Sequence, residues 1–281
     1  MGVCAALQHE AVACFRGKWF ACACLAAGGL SVAAGVECVL KAVYWHGIDQ
    51  FYLSNYSAFS NWIVVNCNAC TLPAVFFYVL PLIVLVPFAW SYHSERFSGY
   101  DMQLVVRVGR MERIGAKALV VFASAFVVTA VAHVVNFLVV SSFLPLYTPT
   151  FEDVNILGIF SEALFSNLFY SEPALYVLAY SCFNACLMGC WAVMVLGASV
   201  LFKNRVSLLI FPYLLLLAWQ YFNLWIYGAT LLYWPSFNII DDMQGTYFGI
   251  RSEPVVIVAQ VLLMLAGATY GCWRIARRDV M

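Results

Sequence analysis

The sequence predicts an all-α polytopic membrane protein with six transmembrane helices and an N-terminal interfacial helix. Three observations predict it. Of 281 residues, 64% are hydrophobic and only 10% are charged, and the mean hydropathy is +0.88. A water-soluble domain is nearer half apolar and a quarter charged; in water this chain would expose too much apolar surface. Six stretches are long and apolar enough to cross roughly 30 Å of hydrocarbon, which takes about 20 residues each. The charges also segregate by segment, although they sum to zero. The spans and their loops use up the chain, so residues 1–281 form a single transmembrane domain.

Residues 4–18 read as an interfacial helix lying on the membrane, with Leu7, Ala11 and Phe15 on one face and Gln8, Glu10 and Arg16 elsewhere. The leader and the apolar run behind it are too long for a secretory signal, so the segment is expected to be retained. Met1-Gly2 has no Ser or Thr at position 6, which argues against myristoylation. The first span covers 19–43. Residues 44–71, with Asn55, Asn61, Asn66 and Asn68, read as an outer loop. The second span covers 72–92. Thr71 is positioned to cap it, and Pro73 lies in its first turn, where a missing N–H costs little. A charged cytosolic segment, 93–117, precedes the third span at 118–143. Residues 144–172 return outside with Glu152, Asp153, Glu162 and Glu172. The fourth span, 174–202, turns through Lys203-Asn204-Arg205 into the fifth, 206–227. Residues 228–253 carry Asp241, Asp242 and Glu253, with enough aromatics to dip into the membrane. The sixth span covers 255–273, before a basic tail.

The positive-inside rule tests this layout. Arg16, Lys18, Arg96, Arg107, Arg110, Arg113, Lys117, Lys203, Arg205, Arg274, Arg277 and Arg278 fall on one side, twelve of the fourteen basic residues. Lys41 and Arg251 fall on the other, with nine of the fourteen acids. Both termini are therefore expected in the cytoplasm, with the chain in the plasma membrane. Trp19, Trp45, Trp90, Trp234 and Trp273 fall near the expected interfaces. Nothing in the charge pattern suits nucleic acid.

The eleven cysteines lie mostly in apolar stretches, as small hydrophobes do. Cys67 and Cys70 share an outer segment, where they are either free or joined. Cys182, Cys186 and Cys190 recur every four residues, and Gly267 and Gly271 have G-x-x-x-G spacing; close helix packing explains both better than metal binding. His9, His46, His93 and His133 form no ligand set. Glu37 and Lys41, four apart, are expected to pair.

The segment 93–117 is the most informative. An acid, Glu95, precedes a glycine turn at Gly99, a short apolar stretch and the cluster Arg107, Arg110, Arg113 and Lys117. By charge alone it is either a solvated loop obeying the positive-inside rule or a surface helix for a cytosolic partner. The pattern Glu-x-x-x-Gly, apolar stretch, then Arg and a Lys opening a span resembles the membrane permeases of type-2 ABC exporters. So do the tail Arg274-Ile-Ala-Arg277-Arg278 and the six-span layout with an interfacial helix. One departure is Val108-Gly109, which stands inside the basic cluster. The resemblance implies a permease paired with a second copy or a paralogue, above two cytosolic ABC ATPase subunits. Glu95, Gly99, Arg107, Arg110 and Arg113 would then form the ATPase-coupling element. The chain has no Gly-x-x-x-x-Gly-Lys-Ser/Thr loop. ATP and Mg would belong to the partner ATPase; no cofactor and no enzymatic activity are expected here.

His133, Asn136, Asn184, Gln220, Asn223 and Gln260 are the polar residues of the spans. They either join helices by hydrogen bonds of about 0.6 kcal/mol each or line a substrate path. His133 should lie in the outer half, roughly 24 Å from Lys117 along the helix. The aromatic outer segments suit an amphipathic substrate: a peptide, a drug or a lipid-like molecule. The alternatives are a secondary transporter, which would usually place an acid near the midplane, and, further off, an intramembrane enzyme. No such acid and no catalytic set is expected at that depth.

Overall fold

Helix dominates because most of the apolar stretches run for twenty residues or more, and lipid offers their backbone N–H and C=O groups no partner but each other. The computed structural model describes residues 3–48, 53–97, 109–151, 154–161, 163–202, 204–230, 237–245 and 253–277, and among them there is no strand. The principal helices are α1 (Val3–Phe15), α2 (Lys18–Ile48), α3 (Thr71–Ile83), α4 (Ser91–Phe97), α5 (Arg110–Phe143), α6 (Pro173–Ala198), α7 (Arg205–Thr230) and α8 (Pro254–Arg277). Five of them, α2, α5, α6, α7 as far as Ile226, and α8, are long and apolar enough to cross a membrane. The chain is thus all-α and multi-pass.

The expected second span is broken. α3 stops at Ile83 after 13 residues, and a series of turns carries the chain through residues 84–90 to α4. Pro81 and Pro87 explain the break, since each lacks a backbone N–H and crowds the preceding turn. The N–H of Leu85 bonds the carbonyl of Leu82, and that of Val86 the carbonyl of Ile83, tightening the ladder after Pro81. The break lies inside the protein: Phe76, Phe77, Leu80, Val84, Leu85 and Ala89 are all buried. Trp191 Nε1 of α6 donates to the Pro81 carbonyl at 3.0 Å, and Tyr213 of α7 donates to that of Tyr78 at 3.1 Å. Thr71 does not cap α3. The cap position is Cys70, without a side-chain bond. Glu37 of α2 takes over, accepting from the N–H groups of Thr71 and Leu72 at 3.0 and 2.7 Å.

α5 is the hub and packs against α1, α2, α6 and α8. Small residues permit the close crossings. A Cβ on Gly35 of α2 would come within 3.1 Å of Asn136, and one on Gly271 of α8 within 2.5 Å of the Gly197 carbonyl of α6. Gly271 therefore marks a packing face, whereas Gly267 has room. Cys182 and Cys186 are exposed and only Cys190 of that stripe is buried. α7 touches α3 and α6 lightly and leaves Leu214, Leu215, Phe222 and Trp225 exposed.

Two segments expected outside fold back between the helices. Ser57 caps the short helix Ala58–Asn61, and the chain continues through Trp62, Ile63, Val64 and Val65, all buried. Asn238 likewise caps Ile239–Asp242, also buried. The Gly245 N–H meets the Val64 carbonyl at 2.9 Å and ties the two together. Of the segment 228–253, residues Ile239–Asp242 are buried within the protein; residues 58–65 are buried likewise, unlike a plain outer loop.

Candidate functional site: a buried ion cluster at the basic end

α5 begins at Arg110, eight residues before the expected span, and so carries Arg113 and Lys117 into the bundle on one face, four residues apart. Ser91 and Glu95 share a face of α4 in the same way. α1 contributes Glu10, flanked on its buried face by Ala6 and Cys14. This face is rotated from the expected Leu7, Ala11, Phe15 stripe. Phe15 is exposed and Glu10 buried, because Glu10 has two cations to meet.

Lys117 is the centre. Its ammonium donates to Glu10 Oε2 at 2.8 Å, Glu95 Oε1 at 2.6 Å and Ser91 Oγ at 3.2 Å. It also lies 4.8 Å from the centroid of the Phe88 ring, on whose face a cation is attracted. The Arg113 guanidinium bonds Glu95 Oε2, and its Nε is 3.9 Å from Glu10 Oε1. Two acids therefore face two bases, with the Lys117 side chain 2% exposed. Removing charges from water costs several kcal/mol each, recovered only with close geometry and full hydrogen bonding. The cluster meets the demand for close geometry by gathering α1, α4 and α5 at one point. Cys14 lies beside it, and burial pushes its thiol up to about 11.

Of the expected coupling residues, Glu95 and Arg113 meet in this cluster and do not both stand as surface charges. Arg110 is half-buried at the start of α5. Gly99 and Arg107 lie outside the described residues. Glu10 and Lys117 complete the site. Their spacing in sequence, 107 residues, carries no pairing signal, although a lone acid at four-residue steps from Ala6 and Cys14 is one local hint.

The polar span residues do not converge on one path. Asn136 accepts from the Ile63 N–H at 2.8 Å and donates to the Ser31 carbonyl at 2.9 Å. His133 is fully buried among the rings of Trp62, Phe76 and Phe77, 5.9–6.2 Å between centroids. These two hold the 57–65 segment. Asn184 donates to the Met243 carbonyl at 3.0 Å, and Gln220 to Asp241 Oδ1, so they hold the 237–245 segment. Asn223 and Gln260 are half-buried elsewhere. Asp241 and Asp242 are 2% and 0% exposed. Beside Gln220 they sit roughly 22 Å along α7 from Arg205, deeper than the outer loop expected for them. Glu37 and Lys41 pair at 3.3 Å as expected. Among the described residues no group of three or more His, Cys, Asp or Glu could hold a metal ion.

Comparison of the chain with protein-family models, with curated proteins and with solved structures finds no match.

Proposed function

We propose that the chain is the permease subunit of an ATP-driven exporter of the type-2 ABC kind. In this reading it spans the plasma membrane six times, the broken α3 segment being the sixth crossing, with α1 on the inner surface and both termini cytoplasmic. It pairs with a second permease copy or a paralogue and moves an amphipathic substrate. A separate ATPase, holding ATP and Mg, docks beneath residues 93–117.

The observation that carries this reading is the ion cluster. A coupling element must pass force from a cytosolic partner to the spans without dissipating it in a loose loop. Glu95, at the start of the 93–117 segment, is bonded to Lys117 and Arg113 at the base of the hub helix. Displacement of α4 therefore pulls on α5, and through Glu10 on α1. Such an arrangement suits a two-state membrane element biased by ATP binding. The test is a mild-detergent pull-down of the tagged chain from its native cells. Recovery of an ATPase with a Walker A loop, weakened by Arg107→Ala, is the expected result. Absence of any ATPase across several mild detergents overturns the reading.

The buried Asp241 and Asp242 favour one second reading, an ion-coupled secondary transporter, because acids at membrane depth often mark ion paths. Transport that survives ATP depletion and stops when the ion gradient is dissipated would select it.

A further inference from the structure

We propose that Cys38 and Cys70 are joined by a disulfide clamping the outer end of α2 to the start of α3, and that the nearer neighbour in sequence, Cys67, stays a thiol. The inference goes beyond transport and rests only on the sidedness proposed above, which places this end of the bundle outside.

The contacts bracket the pair. Glu37 bonds the N–H groups of Thr71 and Leu72, and Lys41 donates to the Ala69 carbonyl at 3.2 Å. Positions 38 and 70 are thereby held side by side. Both residues are buried, at 0% and 3%, each carries a free thiol in the structure, and the two are close enough that each is the chief influence on the other's ionisation.

The turn between Cys67 and Cys70 sends their sulfurs to different partners. Asn66 Oδ1 accepts from the Cys70 N–H at 2.7 Å, and its Nδ2 donates to the Cys70 carbonyl at 3.0 Å. Asn66 and Ala69 both have left-handed backbones, φ 44° and 49°. Cys67 Sγ meanwhile donates to Asn55 Oδ1 at 2.9 Å and lies 3.6 Å from Asn61 Oδ1. It lines a cleft of about 330 Å³ with His46, Tyr56 and Asn68. Joining Cys67 to Cys70 would mean undoing this turn.

Bond formation needs an oxidant, here a small or protein disulfide in the outer compartment, acting before the segment is fully packed. The Cys70 thiolate attacks one sulfur of that disulfide and expels the other as a thiolate. The Cys38 thiolate then attacks the Cys70 sulfur and expels the second. The protein loses two electrons and two protons; the reagent gains both and leaves as two thiols.

The test is peptide mapping of the whole chain, denatured in N-ethylmaleimide directly from its native membranes and digested without reductant. A cross-linked Cys38–Cys70 peptide pair, lighter by two hydrogens than the free thiols, with Cys67 alkylated, is expected. The same pair should survive Cys67→Ser. A Cys67–Cys70 link, or maleimide on both Cys38 and Cys70, overturns the proposal. Cell-free synthesis of the whole chain into nanodiscs, with glutathione disulfide present from the start, tells the two failures apart. Cross-linking only then means the pair faces a reducing compartment, against the sidedness above. No cross-linking means the two sulfurs are not adjacent.

Discussion

Replacing Lys117 by Met keeps the length of the side chain and removes its charge. Glu10 then loses the ammonium at 2.8 Å and keeps only Arg113 Nε at 3.9 Å, with its own side chain 4% exposed. Glu95, 18% exposed, retains Arg113 and some water. Breaking one partner out of a buried pair costs about 3–5 kcal/mol, which is roughly two to three and a half powers of ten in an equilibrium. The loss should fall first on α1, because Glu10 is its buried polar anchor. Hydrogen exchange of the Val3–Phe15 amides in detergent should therefore rise by that factor, before α5 and α6 exchange faster. The double variant Glu10→Gln, Lys117→Met removes the stranded carboxylate charge and leaves Glu95 and Arg113 paired. Its cost should fall below the sum of the single changes by about 0.5–3 kcal/mol. Strictly additive costs, together with unchanged protection of α1, would refute the argument that the cluster is one interacting unit.

Four further outcomes follow from the packing. Gly271→Leu should destabilise by about 1–3 kcal/mol in thermal unfolding, since a Cβ there meets the Gly197 carbonyl at 2.5 Å. Gly267→Ala, 3.7 Å from Met194, should stay within about 0.5 kcal/mol. Asn136→Leu leaves the buried Ile63 N–H without its acceptor at a cost of about 1–3 kcal/mol, and should speed maleimide labelling of Cys67 as the 57–65 segment loosens. Cys14, with its thiol held near 11, should be labelled far more slowly than the exposed Cys4 at about pH 8, where roughly one thiol in a thousand is ionised. A pKa raised by burial favours the neutral thiol, so labelling of Cys14 should climb with pH towards that value; equal rates at about pH 8 would contradict its burial.

The long helices were legible because lipid imposes a length and a composition, and both can be counted along the chain. The break after Ile83 was equally written, in Pro81 and Pro87, but averaging hydropathy over 72–92 hides it. The four asparagines of 44–71 make the segment look like a solvated loop; in the fold the amide of Asn61 bonds backbone carbonyls, with Asn136 receiving Ile63 from across the bundle. The cluster was half visible. Glu95 and Arg113 stand out as charges in a basic segment, yet charge alone places them on the surface. Their burial follows from Glu10 and Lys117, and no local pattern reports a partner 107 residues away.

The shortened α3 has a consequence for how the chain is made. Thirteen residues of helix reach roughly 20 Å, short of about 30 Å of hydrocarbon, and the turns that follow expose carbonyls that lipid cannot satisfy. The groups that serve the Pro81 and Tyr78 carbonyls, Trp191 and Tyr213, are synthesised 110 and 135 residues later. At about 5–20 residues per second, the segment waits for many seconds before its partners arrive. We predict that it stays with the insertion machinery until α6 emerges: site-specific cross-links from Leu80 to the translocon should persist in nascent chains ending before Trp191 and vanish in chains extended past Tyr213. Cross-links lost before α6 is made would show that α3 enters lipid alone.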